Sequence, residues 1–286
     1  MRILNASGCL DALTAPDVAR SLDAFVTKTV TPLPREGNLP VRIAETGAGM
    51  LNSIGLANSG RDRFLSEALP QLRELDVPLW VSVGGFDAGE YAETCAALDD
   101  VTIELNLSCP NVEEAADSAA AIVAACREAT ELPLYAKLSP ANWDISEVAR
   151  AVEAAGADGL SLVNTIRGLT LDERSLRPVL GPKVGGYSGP ALKPIALAAL
   201  FACYAAVDIP IIGMGGIESG RDALEFVAAG ATDVALGTVL FSDPEAPVRI
   251  RDELGAELSA LGLGSPNEAR GRAHEALEPF SHTHRT

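Results

Sequence analysis

The sequence predicts an α/β fold of the (β/α)8, or TIM-barrel, class, and three observations lead there. Short β-type runs recur eight times in 286 residues. Several of the intervals between them carry apolar residues at helical spacing. No linker and no shift in composition divides the chain. A strand followed by a helix, repeated, builds a parallel sheet. Eight such units in roughly 250 residues match a closed barrel better than a doubly wound sheet with a second domain. One domain over residues 1–286 is therefore expected.

The runs are RILNA (2–6), FVTKT (25–29), LWVSV (79–83), TIELNLS (102–108), LYAKLS (134–139), GLSLVNT (159–165), IPIIGMG (209–215) and DVALGT (233–238). Between them, Ala115 to Ala129, Ile145 to Ala155 and Arg221 to Ala229 read as helices, each closing near a Gly or Pro. Two connections are too long for a lone helix: Val30 to Pro78 after the second strand, and Ile166 to Ile209 after the sixth, which carries LGPKVGGYSGPALKP. Long insertions on a barrel usually form the rim of its active site. From Gly262 to Thr286 the chain is polar and holds all three histidines, His274, His282 and His284. A last helix and then frayed residues are expected there.

Composition narrows the function classes. Asp and Glu outnumber Lys and Arg by 39 to 22, for a formal net charge of −17. That balance opposes sequence-independent attraction to a phosphate backbone, so no nucleic-acid partner is expected. The hydrophobic fraction is 48%, yet no apolar run reaches the roughly 18 residues of a membrane span. The opening MRILNASG has no charged-then-apolar leader. No membrane association and a cytoplasmic location follow as expectations. The cysteines Cys9, Cys95, Cys109, Cys126 and Cys203 are far apart and form no C-x-x-C pair, which argues against a disulfide framework or a metal centre.

Chemistry in a barrel sits at the carboxyl ends of the strands, and here those ends are polar. The first run closes on Asn5 and Ser7, the second on Lys28, the fourth on Asn106 and Cys109, the fifth on Lys137, and the sixth on Asn164 and Thr165. The seventh and eighth close on GMGGI and LGT, whose glycines Gly215, Gly216 and Gly237, with Thr238, let backbone N–H groups approach a phosphate. No histidine precedes residue 274, so another group must move protons. Cys109 is the candidate, because a thiol ordinarily titrates near 8.5 and nearby lysines favour its thiolate. A buried cysteine acting as a small hydrophobe is the alternative; it suits Cys95, Cys126 and Cys203 on helix faces, whereas Pro110 ends the strand beside Cys109. Asn52, Asn106, Asn111 and Asn164 supply four carboxamides, each able to donate and accept along a pyrimidine-like ring edge. Lys28 could then hold a carboxylate.

Ten stretches in order along the chain, NASGC, FVTKT, PREGN, ETGAGMLNSIGLAN, ELNLSCPNV, YAKLSP, GADGLSLVNT, GYSGPALKPIAL, IPIIGMGGI and ALGTVLF, make it resemble the dihydroorotate dehydrogenase family over nearly its whole length. The resemblance implies an FMN-bearing barrel that oxidises dihydroorotate to orotate in pyrimidine synthesis. A base removes the C5 proton while hydride passes from C6 to flavin N5. It assigns Cys109 as the base and Lys137 to the flavin pyrimidine ring. Asn52, Asn106, Asn111, Asn164 and Thr165 line the substrate with the segment Ser53, Ile54, Gly55 and Leu56, and Lys28 touches both substrate and flavin. Ser7, Thr29, Val163 and Gly189 flank FMN, with Asn106 also near it. Gly215, Gly216, Gly237 and Thr238 take its phosphate.

A cysteine base points to the soluble branch, and the wording of the motifs is most similar to its NAD-linked type. The resemblance then implies a catalytic-subunit homodimer flanked by two partners that carry FAD and an iron–sulfur cluster, a heterotetramer passing electrons to NAD. Three departures stand out. The chain starts about one β-hairpin late, Ser82 occupies the place of a flavin-contacting asparagine, and VEEAADSAAA after Asn111 replaces a longer Gly-rich loop. Among other readings, a uracil or thymine dihydropyrimidine dehydrogenase-like enzyme usually has histidine where Asn111 stands, and a tRNA dihydrouridine synthase needs a basic face. A non-catalytic FMN- or phosphate-binding barrel and a flavin-free isomerase also remain open; the first leaves the polar strand ends unexplained, and the second predicts a colourless protein.

Overall fold

Successive side chains on a strand point to opposite faces, so a closed barrel sorts its residues into an inner and an outer set. The structure, a computed structural model, describes residues 1–107, 116–142 and 144–275. In chain order its strands are β1 (Ile3–Asn5), β2 (Phe25–Val26), β3 (Ile43–Thr46), β4 (Gly49–Asn52), β5 (Leu79–Val83), β6 (Thr102–Asn106), β7 (Leu134–Leu138), β8 (Gly159–Leu162), β9 (Ile166–Gly168), β10 (Gly185–Ser188), β11 (Ile211–Met214) and β12 (Asp233–Leu236). Eight of them form a parallel sheet in the order β1-β12-β11-β8-β7-β6-β5-β2. The end strands meet through a parallel bridge between Leu4 and Ala24. This is the expected barrel.

At the β1/β2 seam the backbone ladder is thin, and a side chain completes it. Asn5 is fully buried; its Nδ2 donates to the Val26 carbonyl and its Oδ1 accepts from the Val26 N–H, both at 2.8 Å. One carboxamide thus satisfies both polar groups of a strand residue, as a neighbouring strand would. Asn5, singled out as a polar strand end, is a strut of the barrel.

Alternation is clean elsewhere. Val81, Val83, Ile103, Leu105, Leu134, Ala136 and Leu160 pack outward against the helices. Leu4, Val26, Trp80, Tyr135, Ile212 and Met214 fill the interior. Stepping two residues from the inner set along each strand reaches Lys28 from Val26, Ser82 from Trp80 and Lys137 from Tyr135. The interior therefore changes from apolar to polar toward the carboxyl ends. Cys95, Cys126 and Cys203 sit in the outer layer with no exposure, as small hydrophobes, and burial pushes the Cys203 thiol up to about 12.

LWVSV is matched in full by β5, and the other seven barrel strands are shorter than the runs that predicted them. FVTKT contributes only Phe25–Val26; Thr27 N–H still bonds to the Trp80 carbonyl, and the next bridge to β5 is Val30 to Val83. The helices Ala116–Ala129, Ile145–Ala154 and Gly220–Ala229 match their predictions to within one residue at each end. Asp144 and Ser219 cap the last two by accepting from the Glu147 and Asp222 N–H groups. The two long insertions join into one antiparallel sheet of order β3-β4-β10-β9. The C-terminal segment forms short turns, Pro266–Ala269 and Arg272–His274. His274 stacks on Phe201 with ring centroids 3.8 Å apart, a packing role; His282 and His284 lie outside the described residues. No helix among those described is long and apolar enough to cross a membrane.

Candidate active site

The polar ends of the strands converge on one cavity of about 1030 Å³. Seven of the eight barrel strands feed it. Ser7 and Cys9 follow β1, Lys28 and Thr29 follow β2, and Asn106 and Lys137 lie near the ends of β6 and β7. Val163, Asn164 and Thr165 follow β8, Gly215 and Gly216 follow β11, and Gly237 and Thr238 follow β12. The antiparallel sheet and its loops complete the wall with Asn52, Ser53, Ile54, Gly55 and Leu56 from the first insertion and Gly189 from the second. Every predicted site residue that the structure describes lines this one cavity. Cys109 and Asn111 lie outside the described residues.

A chain of hydrogen bonds fixes the polar wall. Asn164 Nδ2 donates to Asn106 Oδ1 at 3.0 Å, and Asn106 Nδ2 donates to Thr29 Oγ1 at 3.2 Å. Thr29 Oγ1 also lies 3.0 Å from Ser82 Oγ. Ser7 Oγ donates to the Thr27 carbonyl at 2.8 Å, and Tyr91 Oη donates to the Asn106 carbonyl at 2.6 Å. Thr165 N–H bonds to Asn164 Oδ1 at 2.8 Å. The ends of β1, β2, β5, β6 and β8 are thereby cross-linked by carboxamides and hydroxyls, and rotamers held this way present a preorganised surface to a ligand. Ser82, fully buried, does not line the cavity. It supports Thr29, so the place where the resemblance puts a flavin-contacting asparagine here serves the wall from behind.

The electrostatics run opposite to those of the whole chain. Lys28, Lys137 and Arg167 line the cavity, and no Asp or Glu among the described residues does. Lys137 is buried and pairs with Glu104, itself buried beneath the lining, at 3.4 Å. Lys28 packs over Gly8, where a Cβ would come within 3.1 Å of the lysine Cδ. Burial and the charge of Lys137 push the Lys28 ammonium below its ordinary 10.5, with Cys9 opposing. Burial raises the Cys9 thiol, against the pull of Lys137 and Lys28, so Cys9 stays protonated at neutral pH.

Glycines open the third side. Gly216 has φ +77°, and a Cβ there would press within 2.9 Å of the Gly189 carbonyl and 3.0 Å of the Lys193 N–H nitrogen. At Gly237 a Cβ would meet nothing closer than 3.9 Å; it would occupy cavity space. Bare backbone next to empty volume suits an anion that approaches N–H groups closely. Sequence reasoning gave no role to Cys9, Asn38 or Arg167, which also line the cavity. The signal was adjacency: Cys9 stands two residues past Ser7, Arg167 two past Thr165, and Asn38 closes the quoted PREGN.

Comparison with known proteins fits this geometry. The sequence model for dihydroorotate dehydrogenase matches residues 2–258. The chain belongs to the dihydroorotate dehydrogenase family. It is 46% identical over 264 residues to the "Dihydroorotate dehydrogenase B (NAD(+)), catalytic subunit" of Desulforamulus reducens, covering 88% of this chain and 87% of that protein. The protein of the same name from Geobacillus sp. strain WCH70 is 42% identical over 286 residues, with 95% and 91% covered. That from Bacillus pumilus is 41% identical over 292 residues, with 96% and 94% covered.

The Glu104–Lys137 pair yields a test of the wall. Glu104→Ala leaves an ammonium uncompensated in a buried site and should cost about 3–5 kcal/mol, whereas replacing both by apolar groups, Glu104→Leu with Lys137→Met, should recover most of it. Urea denaturation checks this; equal midpoints for Glu104→Ala and the parent would show that the pair does not hold the wall.

Proposed function

We propose that this chain oxidises dihydroorotate to orotate with FMN as its resident cofactor, in pyrimidine synthesis, and passes the electrons toward NAD through a partner subunit. The observation that carries the reading is the cavity: cationic, free of lining carboxylates among the described residues, and walled by carboxamides, in a chain with a net charge of −17. A site for a phosphate-bearing cofactor beside a small carboxylate needs that charge, and the empty space beside Gly237 fits the cofactor's phosphate.

In this reading Gly215, Gly216, Gly237 and Thr238 hold the FMN phosphate. Ser7, Thr29, Val163 and Gly189 flank the cofactor, and Lys137 stabilises negative charge developing on it. Bound FMN would supply the two-electron acceptor that no side chain can provide. Lys28 takes the substrate carboxylate. Asn52, Asn106, Asn111, Asn164 and Thr165, with the segment Ser53 to Leu56, read the ring edge by donating and accepting. Cys109, three residues beyond the end of β6, accepts the C5 proton. The partner subunit would carry FAD and an iron–sulfur cluster and flank a homodimer of this chain. That reading draws on the words "catalytic subunit" in the relatives' names.

Cys109→Ala should keep the yellow cofactor and bind orotate, yet lose at least about 100-fold in turnover, the usual contribution of a positioned base. Steady-state kinetics of the purified holoprotein decide this, and normal turnover in the variant would remove Cys109 from the role.

Lys28 gives a pH signature. Only its protonated form attracts the carboxylate, and its pKa is depressed. Orotate affinity is therefore full below that depressed pKa and falls as pH rises through it, before an ordinary lysine would titrate. Arginine stays charged, so Lys28→Arg should move the fall to higher pH. Titration of orotate against pH tests it; superimposable profiles for parent and variant would contradict it.

A further inference from the structure

The three cations that line the cavity among the described residues differ in how free they are. Lys137 is buried and paired with Glu104. Lys28 is half-buried over Gly8. Arg167 is exposed, lies on β9, and its guanidinium makes no hydrogen bond or ion pair among the described residues. Arg2, Arg61, Arg127, Arg249 and Arg251 all reach a carboxylate, whereas Arg167, like Arg174 and Arg177 exposed in the same insertion, reaches none among the described residues; of these three only Arg167 lines the cavity.

Its register places it there. Asn52 of β4 pairs with Gly186 of β10, and Gly186 pairs with Arg167 of β9. Directly opposed residues in an antiparallel sheet project from the same face, and all three line the cavity. Gly186 has no side chain, so none stands between Asn52 and Arg167 in that row. Neighbouring strands lie about 4.8 Å apart, which puts Arg167 about 10 Å across the sheet from the carboxamide row. Arg167 is thus held at the rim by the sheet and aligned with a wall residue.

We propose that Arg167 is a specificity-determining residue that recruits the carboxylate of a small heterocyclic anion to the mouth of the cavity. The inference rests on the function proposed above. The chain's net charge of −17 repels such a substrate at long range, and a cavity whose lining is cationic focuses an attractive field only near its mouth. At physiological ionic strength that field is screened within about 8 Å. The cation nearest solvent therefore sets how often an approaching anion is captured, and Lys28 and Lys137, deeper and more enclosed, act after capture.

The test compares the holoprotein with Arg167→Gln and Arg167→Lys, using dihydroorotate with a redox dye as acceptor and, separately, calorimetric binding of orotate, each across a range of ionic strength. Arg167→Gln should lower kcat/KM by about 3- to 10-fold at low salt, with the deficit shrinking as salt rises, because electrostatic capture is screened while a packing defect is not. Arg167→Lys should restore most of the salt-dependent component. Identical kcat/KM and identical salt slopes in parent and Arg167→Gln would overturn the inference, as would a deficit that persists unchanged at high salt. If the parent neither turns over dihydroorotate nor binds orotate, the functional reading falls and the inference with it; if the parent does both and Arg167→Gln matches it, only the inference falls.

Discussion

Closure of the eight-stranded sheet in phase is the constraint on which the site depends. A parallel strand alternates its side chains with period two, so the inner residue of each strand end is decided by the register of the whole ring. Lys28, Asn106 and Lys137 reach one cavity because Val26, Glu104 and Tyr135, two residues earlier, already face inward. A slip of one residue in any strand would send its polar end into the helical layer. The seam between β1 and β2 is the place where such a ring is weakest, and there Asn5 bonds both polar groups of Val26. A residue that the sequence offered only as a polar strand end is what keeps the neighbouring strand end aimed at the site.

The second consequence of closure is electrostatic. Enclosed by the barrel mouth on one side and the four-stranded sheet on the other, the cavity is a small cationic space inside a strongly acidic molecule. Glu104 makes this sustainable: buried under Lys137, it compensates one ammonium without presenting a carboxylate to the cavity. Among the described residues Lys28 has no such carboxylate partner, and burial with the charge of Lys137 depresses its pKa. Two lysines in one site are thus differentiated by their surroundings, one neutralised from behind and one left to be neutralised by a ligand.

Much of this was legible in the sequence, and the reasons are specific. The β-runs and their polar endings carry local information, so Ser7, Lys28, Asn106, Lys137, Asn164 and the glycines of strands β11 and β12 could be picked out before any geometry was known. Asn52 stood out only as one of four carboxamides, and the loop from Ser53 to Leu56 came from the resemblance, because nothing local marks it. The antiparallel sheet was not legible: β4 and β10 are more than 130 residues apart, Gly185, Gly186 and Ser188 have no strand signature, and two short segments that stabilise each other leave no periodic pattern. Arg167 was hidden for the same reason, since its place at the cavity follows from that pairing. Ser82 looked like a lost cofactor contact and instead supports Thr29, a role visible only when the neighbouring strand is in place.

The central claim is that this cavity brings a flavin and dihydroorotate together. The direct measurement is anaerobic: record the visible spectrum of the purified holoprotein, add dihydroorotate without any acceptor, and follow the band near about 450 nm of oxidised flavin. The account predicts that the band bleaches in proportion to bound flavin and that orotate appears in equal amount. A flavin that stays oxidised in saturating dihydroorotate would contradict it.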